Sequence, residues 1–270
     1  MKTFLVANHK GGIGKTTTSR HVIWGGAHVR SLRTLAVDFC LQGNLSKTFL
    51  AAAERNGFLS AEGSDRDQAL ENSQLFSEQP LIPIKCDNNI DLIPASSSLA
   101  SSEDTDLNSM VEFVKSRLAS VEHNYDLCVI DTSPTVTKLL IVALAVGDFA
   151  VSPCEPDEDS IDGLLGFFSN VNTVTQEGGL NEKLVSLGVL INKVKRDRSQ
   201  QLGLIKQMRE AWGENVLELE IPDRAAISAA KDRPVWITER GLQSKNVAAR
   251  EVLMVCDLIF KKLGFDSNEK

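Results

Sequence analysis

Residues 8–18 read NHKGGIGKTTT and follow the apolar segment 4–7, FLVA. An apolar strand, a glycine-rich turn and a helical segment in this order form a phosphate-binding loop, because the N–H groups of the turn close around phosphate oxygens. In such a loop Lys15 reaches the β- and γ-phosphates, and the Thr16 hydroxyl ligates Mg²⁺. The sequence therefore predicts a nucleoside triphosphate site in a P-loop fold.

Lys10 lies directly before the first glycine, where an ordinary phosphate loop does not need a lysine. A second cation at this point can neutralise transition-state charge, including charge on a nucleotide held by a facing subunit. The run KGGIGKTT resembles the deviant Walker A motif of the ParA/MinD family of dimerising ATPases. The resemblance implies ATP and Mg²⁺ as cofactors, an ATP-bound homodimer, and phosphate contacts from Lys10, Gly11, Gly12, Ile13, Gly14, Lys15, Thr16 and Thr17.

The composition favours an ordinary globular protein. The 270 residues are 42% hydrophobic and 24% charged, which is enough apolar material for a substantial core. We expect one P-loop ATPase domain over residues 1–270, without a separate DNA-binding domain ahead of Lys10. The net charge of −7 argues against a uniformly basic nucleic-acid binder but is compatible with a local basic face.

The cysteines and the apolar runs bear on where the protein resides. Five scattered cysteines without metal-type spacing predict reduced thiols. The N-terminus lacks a long apolar signal core, and the apolar run 139–147 is too short to span a bilayer. These features predict a cytoplasmic protein.

Short apolar runs alternate with helical segments along most of the chain. The predicted strands are residues 3–7, 34–37, 90–93, 127–130, 149–151 and 185–191. The predicted helices are residues 16–30, 107–121, 136–145, 160–175 and 199–211. This alternation predicts an α/β fold with a mostly parallel β-sheet and helices on both faces, in which ligands bind at the carboxyl ends of the strands.

An acid for Mg²⁺ is expected at the end of a strand beside the phosphate loop. The segment 127–131, LCVID, provides Asp131, and the following Thr132-Ser133-Pro134 resembles the second switch of the family. We predict that Thr16 and Asp131 hold the metal.

The segment 36–44, AVDFCLQGN, resembles the first switch of the family, commonly D-x-D-P-Q-G-N. Asp38 matches, whereas Cys40 stands where the resemblance expects the acid that orients the attacking water. A neutral thiol is a poor acceptor, so we predict slow or impaired ATP hydrolysis. Cys40 is a substitution that traps the ATP state, or Asp38 positions the water instead, or ATP serves mainly as a dimerisation signal, or Cys40 is a buried bystander.

Two later segments resemble the base-binding parts of related ATPases. Asn192 ends the apolar strand GVLIN, and an Asn amide can donate to and accept from adenine at once. Residues 220–224, EIPDR, resemble the I-P-R segment of the family. The resemblance implies that the backbone at Pro222 and Asp223 lines the base.

ATP dimers of this family bind either nonspecific DNA or membrane. Lys193, Lys195, Arg196 and Arg198 form the densest basic group, and Arg224, Lys245 and Arg250 add positive charge later. Residues 247–263 have the apolar spacing of an amphipathic helix, which suits a membrane anchor or, more commonly, a helix packed on the sheet. The polar ending GFDSNEK is a poor lipid anchor, so we favour DNA and consider membrane binding a minor alternative.

The resemblance implies a partition ATPase closest to the short ParA type. Its ATP dimer would bind nonspecific DNA, associate with the nucleoid, and segregate plasmid or chromosomal DNA or another cargo with a ParB-like centromere-binding or adaptor protein. Because of Cys40, a nucleotide-gated positioning or regulatory module without real turnover, either a scaffold or a MinD-like membrane binder, is the alternative.

Overall fold

The computed structural model describes residues 1–96, 99, 105–134, 138–238, 241–242 and 246–265. The strands of its large sheet are β1 (Lys2–Val6), β2 (Thr34–Phe39), β3 (Ile84–Asp87), β4 (Ile90–Ile93), β5 (Leu127–Thr132), β6 (Phe149–Cys154), β7 (Val185–Val194) and β8 (Val216–Pro222). They are ordered β3-β4-β2-β5-β1-β6-β7-β8. A separate antiparallel pair joins β9 (Ile237–Thr238) and β10 (Gly241–Leu242).

The described helices connect these strands. They are α1 (Lys15–Trp24), α2 (Asn44–Arg55), α3 (Ser64–Asn72), α4 (Leu107–Val121), α5 (Lys138–Val146), α6 (Glu158–Thr175), α7 (Ser199–Trp212), α8 (Ala225–Ala229) and α9 (Val247–Lys262). A π-helical turn at Gly25–Val29 continues α1.

The sheet is parallel except for the antiparallel pair β3–β4. Its central strands are buried along their whole length, as expected for a parallel sheet covered on both faces. Alternate residues of β1 face opposite cores. Phe4 and Val6 pack with α1, α2 and α9, whereas Leu5 packs with α4, α5 and α6.

The parallel arrangement brings the carboxyl ends of β1, β2, β5, β6 and β7 to one edge of the sheet. The register pairs Val6 with Asp131 and Asp38 with Asp131, so the two carboxylates end neighbouring strands. This edge carries the candidate site.

The predicted fold class is confirmed, and the differences concern individual elements. α1 ends at Trp24 and continues as the π-helical turn, where the sequence predicts one helix to residue 30. β7 extends three residues beyond the predicted end, to Val194. β3, β8 and α2 were not predicted: the two edge strands mix polar with apolar residues, and α2 begins inside the first-switch motif, which hid its helical pattern. The predicted helix start at residue 136 lies outside the described residues.

The apolar face of α9 lies against the protein and not in solvent. Ala248, Val252, Val255 and Ile259 are buried in the core that also contains α1 residues. The pattern that suits a membrane anchor therefore serves packing on the sheet. Among the described helices, none combines the length and the hydropathy needed to cross a bilayer.

Candidate functional site

The phosphate loop connects β1 to α1. Gly12 and Gly14 have φ angles of 76° and 94°, a region that residues with a side chain rarely adopt. Gly14 also has no room for a side chain, because a Cβ there would collide with the amide of Asn192. No side chain of the described residues caps α1, so its first N–H groups remain available to an anion.

Among the described residues, three side chains donate hydrogen bonds to loop carbonyls that precede α1. Lys15 Nζ donates to the carbonyl of Lys10 at 2.7 Å, Lys193 Nζ to that of Gly12 at 2.6 Å, and Asn192 Nδ2 to that of Ile13 at 2.7 Å. The loop is thus held in an open glycine-rich conformation by donors from α1 and from the end of β7.

Lys15 is the buried cation of the loop, with 7% of its surface exposed. Burial lowers the pKa of its ammonium to about 8, although the charge of Asp131 opposes this shift. A cation held in this environment lacks solvation and gains strongly from an added anion.

Asp131 is fully buried beside the loop. Its carboxylate accepts hydrogen bonds from Thr16 Oγ1 at 2.7 Å and from Ser19 Oγ at 2.8 Å. Burial, and then the nearby charge of Asp38, raise the pKa of Asp131 to about 7. The Thr16 hydroxyl and the Asp131 carboxylate fit Mg²⁺, which prefers oxygen ligands.

The carboxylate of Asp38 accepts hydrogen bonds that stabilise the first switch, residues 36–44. One carboxylate oxygen accepts from the backbone N–H of Cys40 at 3.0 Å, and the other accepts from the N–H and hydroxyl of Ser46 at 2.8 and 2.7 Å. Both oxygens are therefore engaged in joining the end of β2 to α2.

Cys40 lies at the start of the turn that leads to α2, and only 5% of its surface is exposed. Its carbonyl accepts from the N–H of Gly43 at 2.8 Å. Burial raises the pKa of the thiol, so the group is neutral at physiological pH. A neutral, buried thiol is poorly suited to orient a water molecule.

Lys10 is held within its own chain in this structure. Its Nζ donates to Asp157 Oδ1 at 2.7 Å and to Ser160 Oγ at 3.0 Å, both at the beginning of α6. Its side chain keeps 29% of its surface exposed. The reach of Lys10 across a dimer interface stays a prediction from the sequence.

The residues predicted to bind the base lie together at the ends of β7 and β8. Asn192 is 5% exposed, and its amide nitrogen is bound to the loop. Pro222 ends β8, and the backbone N–H of Asp223 donates to Val194 O at 2.9 Å. A small cavity beside them is lined by Thr17, Thr18, His21, Ile221 and apolar residues of α9.

The basic residues predicted to contact DNA differ in how they are paired. Lys195 Nζ lies 3.5 Å from Asp223 Oδ2, and Arg196 Nε lies 3.8 Å from Glu220 Oε1. Arg224 makes a two-pronged ion pair with Glu251. Within the described part of the chain, Arg198 and Arg250 are exposed and form no salt bridge. Lys245 lies outside the described residues.

Sequence reasoning missed several supporting residues of the site. Ser19, Ser46 and Ser160 each hold a predicted site residue, and Lys193 contacts the loop instead of standing on a basic surface. Ser19 carries a readable signal, because it follows Thr16 by three positions on the same face of α1. Ser46 lies only eight positions after Asp38, whereas Ser160 and Lys193 contact residues that are distant in the chain.

Comparison with known proteins agrees with this geometry. The family model AAA_31, described as an AAA domain, matches residues 1–186. Protein IncC of Escherichia coli is 26% identical over 267 residues, covering 97% of this chain and 70% of its own length. Sporulation initiation inhibitor protein Soj of Bacillus subtilis (strain 168) is 28% identical over 233 residues, covering 85% of this chain and 87% of its own.

Solved structures share the same architecture. A McdA variant from Cyanothece, in complex with ATP, aligns with a TM-score of 0.74 at 21% identity over 100% of this chain and 99% of its own. At this level of identity the likeness shows the fold alone.

Proposed function

The chain belongs to the AAA_31 family of AAA domains and to the ParA/MinD ATPases, and we propose that it is a partition ATPase. As a single ATPase domain over residues 1–270, it binds Mg-ATP, forms an ATP-dependent homodimer and binds DNA without sequence preference. With a ParB-like centromere-binding or adaptor protein it segregates plasmid or chromosomal DNA, or another cargo.

The observation that carries this proposal is the uncapped start of α1 together with Lys15 and the Thr16–Asp131 pair. Loop residues 10–17 would hold the phosphates, and Lys15 would exchange the carbonyl of Lys10 for phosphate oxygens. Thr16 and Asp131 would hold Mg²⁺. The bound metal would neutralise phosphate charge, which is its usual contribution to phosphoryl transfer.

The base would lie at the ends of β7 and β8. Asn192 would turn its amide from Ile13 toward adenine, and the backbone at Pro222 and Asp223 would line the ring. Their closeness in the fold supports this assignment, since the N–H of Asp223 is bound to β7 two residues after Asn192.

Lys10 would act across the dimer interface. Its ammonium is partly exposed at the mouth of the loop and is bound to the side chains of Asp157 and Ser160 at the beginning of α6, so it can leave them for the phosphates of a facing subunit. In that position it would stabilise transition-state charge as an arginine finger does.

DNA would bind to the basic residues after β7 and on α9. Arg198 and Arg250 are the strongest candidates, because neither forms a salt bridge within the described residues, while Lys195, Arg196 and Arg224 would first have to share or leave their acidic partners. A protein with this activity would reside in the cytoplasm and associate with the nucleoid.

The decisive experiment measures binding to random-sequence duplex DNA with ATP, ADP or no nucleotide across a salt series. We expect binding only with ATP, and affinity that falls steeply with salt because counterions are released. Lys15→Ala is the matched control and should bind no DNA under any condition. An ATP-dependent dimer that binds no DNA with ATP, with ADP or without nucleotide would refute the DNA-based function.

Cys40 favours a second candidate, a nucleotide-gated positioning module with little turnover. The neutral thiol stands at the expected acid position, and Asp38 has both oxygens engaged by the switch. Steady-state phosphate release that rises with DNA and a partner would support the ATPase. ATP-stabilised dimers without phosphate release would support the module, whose partner would be a protein, since the apolar face of α9 is packed in the core.

A further inference from the structure

The outer side of the phosphate loop is held by two consecutive residues at the end of β7. Asn192 Nδ2 donates to Ile13 O, and Lys193 Nζ donates to Gly12 O. In a trans peptide the C=O of one residue and the N–H of the next point in opposite directions. A donor on the Gly12 carbonyl therefore fixes the direction of the Ile13 N–H on the other side.

The backbone of Lys193 is unusual. Its φ angle is 56°, in the left-handed region that a lysine rarely adopts. Such conformations persist where the surrounding structure over-determines them, and they concentrate at functional sites. Here the conformation coincides with the contact to Gly12.

A carboxylate keeps the ammonium at the loop. Glu155, directly after β6, lies 3.4 Å from Lys193 Nζ, and the two side chains are 23% and 38% exposed. Lys195 and Arg196, by contrast, pair with acids on β8 and directly after it. Lys193 therefore faces the loop between the ends of β6 and β7, although the sequence groups it with the basic residues that follow.

We infer that Lys193 is a positioning residue for nucleotide binding, and not a DNA contact. Its ammonium orients and polarises the Gly12–Ile13 peptide so that the Ile13 N–H is ready for phosphate. The inference rests on the proposed function. Because loop N–H groups cradle the α- and β-phosphates, which ATP and ADP share, Lys193 supports both nucleotides equally.

The test uses Lys193→Asn. Asn tolerates a left-handed backbone but is too short to reach the Gly12 carbonyl. We expect the Kd for Mg-ATP and for Mg-ADP to rise about 10-fold each in calorimetric titration, a loss of ~1.4 kcal/mol. The melting temperature of the nucleotide-free protein should stay within about 2 °C of wild type, because exposed ion pairs contribute little. Lys193→Arg should restore most of the affinity, and the exposed loop variant Lys183→Asn should behave as wild type.

Other outcomes overturn the inference separately from the proposed function. Unchanged affinities in Lys193→Asn, or a lower melting temperature that accounts for the weaker binding, would show that Lys193 has no positioning role. Weaker DNA binding at saturating ATP, with a shallower salt dependence, would make it a DNA contact. A wild-type protein that binds no nucleotide would refute the proposed function itself.

Discussion

The phosphate loop and the basic group after β7 meet at one edge of the sheet, yet they hold their charges differently. In the loop region Lys15 and Asp131 are buried. In the basic group the side chains of Lys195 and Arg196 are 34% and 61% exposed and lie beside acids. A buried charge must be matched by its surroundings, whereas an exposed ion pair costs and gains little. The buried charges of the phosphate loop therefore indicate which ligand binds there. The basic group after β7 would bind a ligand only through its net charge.

The largest effect is expected at Lys15. Replacing Lys15 by Ala removes charge-assisted hydrogen bonds to two phosphates, each worth ~1.5–3 kcal/mol. We expect ATP affinity to fall at least about 100-fold in calorimetric titration. The exposed Lys206→Ala on α7 is the control and should leave affinity unchanged. Near wild-type affinity in Lys15→Ala would remove the distinction between the two regions.

Asp131→Asn tests the buried carboxylate in two ways. With Mg²⁺, we expect nucleotide affinity to fall about 10–100-fold, as for the loss of a metal-site group. Without nucleotide, we expect the substitution to be favourable, because it should stabilise the folded protein at pH 8. The folded pKa of about 7 lies above the ordinary value of 3.8, so the folded state holds the proton more tightly and wild type loses stability as the pH rises between these values.

Asp131→Asn has no carboxyl group to titrate at this position and does not lose stability in this way. At pH 8 its free energy of unfolding should exceed that of wild type by an amount on the order of 2–4 kcal/mol. At pH 4 the two proteins should differ little. Urea unfolding at both pH values measures the difference. Equal stability at pH 8 would mean that Asp131 is already ionised at no cost, as an exposed acid would be.

Cys40→Asp tests whether residue 40 limits the rate of ATP hydrolysis. If a missing water-orienting acid limits turnover, we expect phosphate release to rise about 100-fold, at the low end of general acid–base effects. Cys40→Ser is the matched control and should not accelerate release. A rate that does not change in Cys40→Asp would identify residue 40 as a bystander.

The smallest effects are expected on the basic surface. Arg198→Ala should weaken ATP-dependent DNA binding about 3-fold and reduce the salt slope by ~1, since one phosphate contact is lost. Arg224→Ala should leave DNA binding nearly unchanged and cost less than ~1 kcal/mol of stability, because Arg224 is engaged by Glu251. The opposite ranking would show that paired residues can be recruited by DNA.

The sequence was sufficient for the fold class and for the loop, because each rests on local patterns. Alternating apolar runs predict the parallel sheet, and the run around Lys15 carries its own geometry in its glycines. Asp131 is equally readable, since it directly follows four apolar strand residues. In each case the informative residues are close together in the chain.

What the sequence did not reveal depends on pairing between distant segments. Ser160 is bound to Lys10, 150 positions earlier, and Lys193 is bound to Gly12, 181 positions earlier. The edge strands β3 and β8 also escaped prediction, because half-exposed strands lack a continuous apolar run. The direction of a lysine side chain is a property of the fold, and composition places it on the surface by default.

The hydrogen bond between Asn192 and Ile13 joins residues 179 positions apart. A ribosome adds about 5–20 residues per second, so ~10–40 s of synthesis separate the two residues. During that interval the nascent chain exposes a complete glycine loop that lacks its outer support. We therefore expect competence to bind nucleotide only once β7, which carries Asn192 and Lys193, has joined the sheet.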